Sequence, residues 1–79
     1  MHEKIQVTAY SGHKSGERPT AFVRNGQEIL VVDILDMWVE ENFIDRQRKR
    51  FFVIEGSDGE TYSLYMVEKT DEWFLKTKT

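Results

Sequence analysis

The chain contains no cysteine, so it has neither a disulfide framework nor a thiolate zinc site, and an intracellular, reducing compartment fits it. Histidine occurs only as His2 and His13, a pair without metal-ligand spacing. No apolar run approaches the ~20 residues that cross a bilayer. The start, Met1-His2-Glu3-Lys4-Ile5, lacks the apolar stretch and small-residue cleavage site of a secretory signal. A cytoplasmic protein with no membrane association is the expectation. A basic excess is missing as well: 11 Lys and Arg stand against 14 Asp and Glu, for a net charge of −3. Dedicated nucleic-acid binders usually carry the opposite balance. Seventy-nine residues make one domain, 1–79, which buries only roughly 60% of its unfolded surface and leaves little room for an enclosed active site. No catalytic or cofactor signature is present, and the chain reads as a non-enzymatic binding or accessory module.

What is present is a hairpin-forming order of residues. Aromatic content is 13% against 32% charged, enough apolar bulk for a core. Ile5, Val7 and Ala9 alternate with polar neighbours as a first strand. Ser11 to Arg18 has no large apolar residue and reads as a loop, and the only proline, Pro19, opens a second strand to Arg24. Asn25-Gly26 supplies the two left-handed residues of a type I′ turn, pairing Phe22 with Ile29 and Ala21 with Leu30. A long, bent strand is predicted from Gln27 to about Val39. Alternation that buries Val31 and Leu35 turns Asp33 inward unless a bulge near Asp33 to Asp36 resets the phase. The competing period, Val31, Ile34, Leu35, Trp38 and Val39, is helical and gives an α+β alternative with a helix at about 33–43. Further strands follow at Arg48 to Glu55, Glu60 to Val67 and Trp73 to Lys76, separated by turns at Gly56-Ser57-Asp58-Gly59 and Lys69-Thr70-Asp71-Glu72. The fold class is therefore mainly β. Five or six antiparallel strands would form an SH3-like small barrel or a strongly curved sheet closed by the bent strand. Phe22, Trp38, Tyr62, Leu64 and Trp73 are the predicted structural core, and as a core residue Trp38 would cost about 3–5 kcal/mol on truncation to alanine.

Ser11-Gly12-His13-Lys14-Ser15-Gly16 resembles a phosphate loop superficially, but it lacks the glycine spacing and the following helix. Asp33, Asp36, Glu40, Glu41 and Asp45 place five acids in thirteen residues with no base among them. Asp33 and Asp36 would share a face on a helix but point to opposite faces of a regular strand. Asp58-Gly59 lacks the further oxygen ligands of a calcium loop. The cluster Arg46-Gln47-Arg48-Lys49-Arg50 is the candidate contact surface. On an extended chain Arg46, Arg48 and Arg50 recur every ~6.6 Å on one face, near the pitch of phosphates on an extended single strand. Arg46, Arg48, Lys49 and Arg50, with Tyr10 or Tyr65 as a stacking platform, are predicted to contact a protein partner or nucleic acid. The alternative is a small-ligand or enzymatic protein in which His13 and Lys14 converge with Asp33 and Asp36.

Glu17-Arg18-Pro19, Phe22, Gly26, Val32-Asp33-Ile34-Leu35-Asp36-Met37-Trp38, Tyr62-Ser63-Leu64 and Glu72-Trp73-Phe74-Leu75 resemble an uncharacterised family of small bacterial β-rich domains, and the resemblance covers nearly the whole chain. Members stand alone or accompany proteins resembling Y-family DNA polymerases. That resemblance implies a link to DNA maintenance and defines no activity. It singles out Arg18, beside Pro19 at a strand start, as either the partner of a nearby acid or a phosphate contact.

Overall fold

Asn25 and Gly26 adopt φ values of 53° and 75°, and the right-handed twist of this type I′ turn matches the strands on either side. The register is the expected one, with Ala21 opposite Leu30 and Phe22 opposite Ile29. The computed structural model describes residues 2–10 and 18–76, with the side chains of His2 and Tyr10 excepted. It contains six strands: β1 (His2–Tyr10), β2 (Arg18–Arg24), β3 (Gln27–Glu41), β4 (Arg48–Gly56), β5 (Thr61–Val67) and β6 (Glu72–Lys76). Each pairs antiparallel with the next, and β6 returns to β1, so the sheet closes into a six-stranded barrel. Closure leaves the fully paired strands without edges.

The helical alternative at 33–43 is overturned. The segment is strand through Glu41, because its β-branched start continues the hairpin and β4 offers cross-strand partners along its whole second half. The strand is bent where the phase of Asp33 demanded it. Register slips between Val31 and Asp33 and again between Ile34 and Asp36, so Val32 and Leu35 are the extra residues of two bulges. Both project from the barrel, at 63% and 52% exposure, and the inward position expected for Leu35 belongs to Ile34, which packs against the core.

Phe22, Phe52, Ile54 and Leu64 are the most deeply buried side chains. Ile5, Ile29, Met66, Trp73 and Leu75 complete the cluster, with Val7, Ala9, Val31 and Tyr62 packed against it. Four of the five predicted core residues are therefore in or on the core. Trp38 is the correction. It lies opposite Phe51, on the outer face of a sheet whose inner face carries Phe52 and Ile54, and it remains 40% exposed. Its bulk made it look like core, but the bulge at Leu35 puts it on the other side.

Gly56 sits where β3 passes from β2 to β4, opposite Val31. A Cβ there would meet Asp58 Oδ1 at 2.7 Å, Ile29 Cγ2 at 2.9 Å and Tyr62 Cε2 at 3.0 Å, so even a methyl group overpacks the crossing. Urea denaturation is expected to separate the two kinds of position. Leu64→Ala should cost about 2–5 kcal/mol and Gly56→Ala about 1–3 kcal/mol, whereas Trp38→Ala should cost only about 1–2 kcal/mol. A Trp38→Ala loss equal to that of Leu64→Ala would return the ring to the core.

Candidate interaction surface

β3 pairs with β2 only as far as Leu30 and thereafter runs with β4 to Glu41 opposite Arg48. The distal part of this pair forms an arm, because residues on both of its faces remain exposed. Met37 and Val39 belong to the inward phase, opposite Phe52 and Arg50, yet are 44% and 47% exposed. At the tip Phe43 and Ile44 are 88% and 95% exposed.

The tip is built to hold that display. Asn42 N donates to Gln47 O at 2.9 Å and closes the loop. Asn42 Oδ1 accepts from Ile44 N at 2.9 Å, and Asp45 Oδ1 accepts from Gln47 N at 3.0 Å. Such side-chain turns are the reason Asn and Asp favour loops. Arg46 completes the loop with φ 56°. Sequence reasoning passed over Phe43 and Ile44, although two large apolar residues between turn formers are themselves a signal.

An aromatic row crosses the outer face. Trp38 stacks on Phe51 with ring centroids 5.3 Å apart and planes 2° from parallel. Phe51 meets Tyr65 at 5.2 Å, and Tyr65 meets Phe74 at 5.2 Å. These are direct cross-strand neighbours on β3, β4, β5 and β6, the geometry in which such pairs add stability beyond area burial. Tyr65, expected as an exposed platform, is therefore buried at 7% exposure. That burial also raises the pKa of its hydroxyl. The Tyr10 side chain lies outside the described residues.

The predicted basic contacts are not a uniform row. Arg46 is in the loop and left-handed, so it drops out of the extended ladder. Arg48 and Arg50 share a strand face, and both reach Glu68: Arg50 Nε is 2.6 Å from Oε2 and Arg48 Nε is 4.0 Å from Oε1. Lys49 is on the other face, with Nζ 5.5 Å from the Tyr65 ring centroid. The basic cluster is thus largely engaged within the chain.

The acidic run is arranged differently from expectation. Asp33 lies opposite Glu55 and Asp36 opposite Val53. Because Leu35 is a bulge, the two carboxylates share the outer face instead of pointing to opposite ones. Trp38 Nε1 donates to Glu40 Oε2 at 3.0 Å, and Met37 N donates to Asp36 Oδ1 at 2.9 Å. Among the described residues no three His, Cys, Asp or Glu side chains come together to hold a metal ion. His13 and Lys14 lie outside the described residues, as does Glu17, and Arg18 forms no ion pair among them. No helix among the described residues is long and apolar enough to cross a membrane.

One further polar cluster organises the turn after β4. The Tyr62 hydroxyl donates to Asp58 Oδ2, Glu60 N donates to Asp58 Oδ1 at 3.1 Å, and the Arg24 guanidinium lies 5.9 Å from the Tyr62 ring centroid. The bond from Tyr62, with that from Glu60 N, holds the Asp58 carboxyl below its ordinary range. The same bond, followed by desolvation, raises the tyrosine. Lys4 Nζ, 2.7 Å from Glu72 Oε2, likewise holds Glu72 low.

No protein family, curated protein or solved structure matches the chain. The class defined by the fold is a small closed antiparallel β-barrel carrying an exposed apolar hairpin arm.

The Asp58–Tyr62 bond gives stability a predictable dependence on pH. A depressed carboxylate contributes above its unfolded value of about 4 and loses that contribution as pH falls through the lower folded value. A raised tyrosine contributes below about 10 and loses it as pH rises through the higher folded value. Tyr62→Phe removes the tyrosine's effect and the largest cause of the carboxylate's, leaving the bond from Glu60 N. Its urea midpoint should fall less steeply than that of the parent protein, both on acidification below about pH 4 and above about pH 10. Superimposable profiles would show that the bond is not formed in solution.

Proposed function

We propose that this chain is a non-enzymatic, cytoplasmic binding module that docks a partner protein through the β3–β4 arm and its tip. One observation carries the reading. Of the nine large hydrophobic residues exposed among the described residues, eight lie on β3 or at the tip that follows it, Val23 being the exception. Apolar exposure gathered on one element, and not scattered, is what marks an interaction surface. Burying a Phe or Ile side chain contributes about 1.5–3 kcal/mol, so Phe43 and Ile44 are suited to be anchors. Their loop is already held by its own hydrogen bonds, which lowers the ordering cost of association.

Protein is favoured over nucleic acid because Arg48 and Arg50 are drawn to Glu68 and the facing strand β3 is acidic. The resemblance to small domains that accompany Y-family polymerase-like proteins directs the search for partners to DNA maintenance.

A photo-crosslinking amino acid at Ile44, and a control at Lys69 on the β5–β6 turn, would test this in the cells from which the chain comes. Discrete protein adducts from position 44 and none from 69 are expected, and they should disappear when Phe43→Ser is added. In parallel, labelled single- and double-stranded oligonucleotides should show no binding at about 50 mM salt, where phosphate contacts are strongest. Adducts to nucleic acid, or oligonucleotide binding abolished by Arg48→Glu/Arg50→Glu, would overturn the protein reading.

A further inference from the structure

Between Val31 and Glu41 β3 is paired with β4 along one edge, while β2 has ended its pairing at Leu30. Among the described residues no strand pairs with the other edge. These eleven residues span about 35 Å at roughly 3.3 Å per residue. Val31 to Ile34 line a groove with Arg18, Pro19 and Thr20 of β2, and Met37 N donates to Asp36 Oδ1. The other backbone groups on this edge have no strand partner among the described residues, a template that folded proteins ordinarily cover or blunt. The bulges at Val32 and Leu35 lie toward one end and leave Asp36 to Glu41 as a regular run. Its side chains are sorted by face. Asp33, Asp36 and Glu40 lie on the outer face with Trp38, in register with outward residues of β4, whereas Ile34, Met37 and Val39 are in the inward phase. No Lys or Arg occurs from Gln27 through Asp45, and Asp33, Asp36 and Glu40 form no ion pair among the described residues.

The geometry points to strand addition: the free edge of β3 accepts an extended segment of a partner protein in which basic residues alternate with apolar ones. An added strand continues the pleat, so its residues alternate between the two faces of β3. Lysine or arginine on its outer side would meet Asp33, Asp36 and Glu40, and valine or isoleucine on its inner side would cover Ile34, Met37 and Val39. Like charges directly opposite one another destabilise a pair of strands. A second copy of β3 would bring the same carboxylates together, and the edge therefore selects a basic strand. This assignment rests on the arm being a protein-docking surface and names what docks there.

The test uses a fluorescein-labelled peptide of about ten residues, the length of the edge, alternating Lys or Arg with Val or Ile. Three comparisons accompany it: the same residues with basic and apolar halves in separate blocks, a version N-methylated at alternate amides, and the protein variant Asp36→Lys/Glu40→Lys. The alternating peptide should bind at least about tenfold more tightly than any of the three comparisons, and amide NMR shifts should move within 31–41. Equal binding of the N-methylated peptide would reduce the interaction to charge attraction and overturn strand addition, as would shifts elsewhere on the barrel. Concentration-dependent shifts within 31–41 without peptide would assign the edge to a second copy and also overturn it. Protein adducts from Ile44 combined with failure of the peptide would overturn the basic strand alone. Peptide binding on the edge without such adducts would instead overturn the docking role of the tip.

Discussion

Neither neighbour, of seven or nine residues, can pair alone with the fifteen residues of β3 along their whole length, and the architecture follows from how β3 meets that constraint. It shares its first four residues with β2 and then exchanges that partner for β4. The exchange occurs at Leu30, whose N donates to Ser57 Oγ at 3.1 Å and whose carbonyl accepts from Ser57 N at 2.8 Å. Gly56, beside it, has no room for a side chain. Two bulges follow within five residues, and each turns the strand's faces by one position. Together they let a single strand serve first as barrel wall and then as one side of an arm.

The aromatic row couples the arm to the barrel. Inner-face packing holds the barrel proper, from Phe22 to Leu75, but it cannot reach Met37 or Val39, which remain exposed. Stacking from Trp38 through Phe51 and Tyr65 to Phe74 spans four strands on the outside instead. Each pair contributes only about 0.5–1.5 kcal/mol beyond its buried area, yet the series ties the base of the arm to β6. The Glu68 carboxylate draws Arg48 and Arg50 toward the start of the next connection. The arm therefore presents its apolar tip and open edge on a supported base, which is the condition for a binding surface with low ordering cost.

Much of this was legible in the residues. Asn25-Gly26 specified its turn and register, and the awkward phase of Asp33 located the bend. The tally of outer-face residues was not, because a scan for alternation assigns each strand one apolar face. Phe51-Phe52, Tyr65-Met66 and Trp73-Phe74 are neighbours in sequence, so both faces of β4, β5 and β6 had to be apolar, and a second aromatic layer was implied there. Trp38 was assigned inward since bulk usually goes to the core, and only the number of bulges before it decides its side. The basic cluster looked continuous, but the left-handed turn at Arg46 is a local choice that residue type alone does not dictate. The opposition of Arg48 and Arg50 to Glu68 depends on β4–β5 register, which the four-residue turn left open.

The central claim is that, among the described residues, β3 beyond Leu30 is paired along one edge only. Residue-resolved amide hydrogen exchange tests it most directly, since protection requires a hydrogen-bonded partner. The account predicts intermittent protection from Val31 to Glu41, with amides directed at β4 exchanging slowly and the intervening ones exchanging at nearly unprotected rates. Uniform slow exchange through that stretch in the free protein would contradict it, because the edge would then already be occupied.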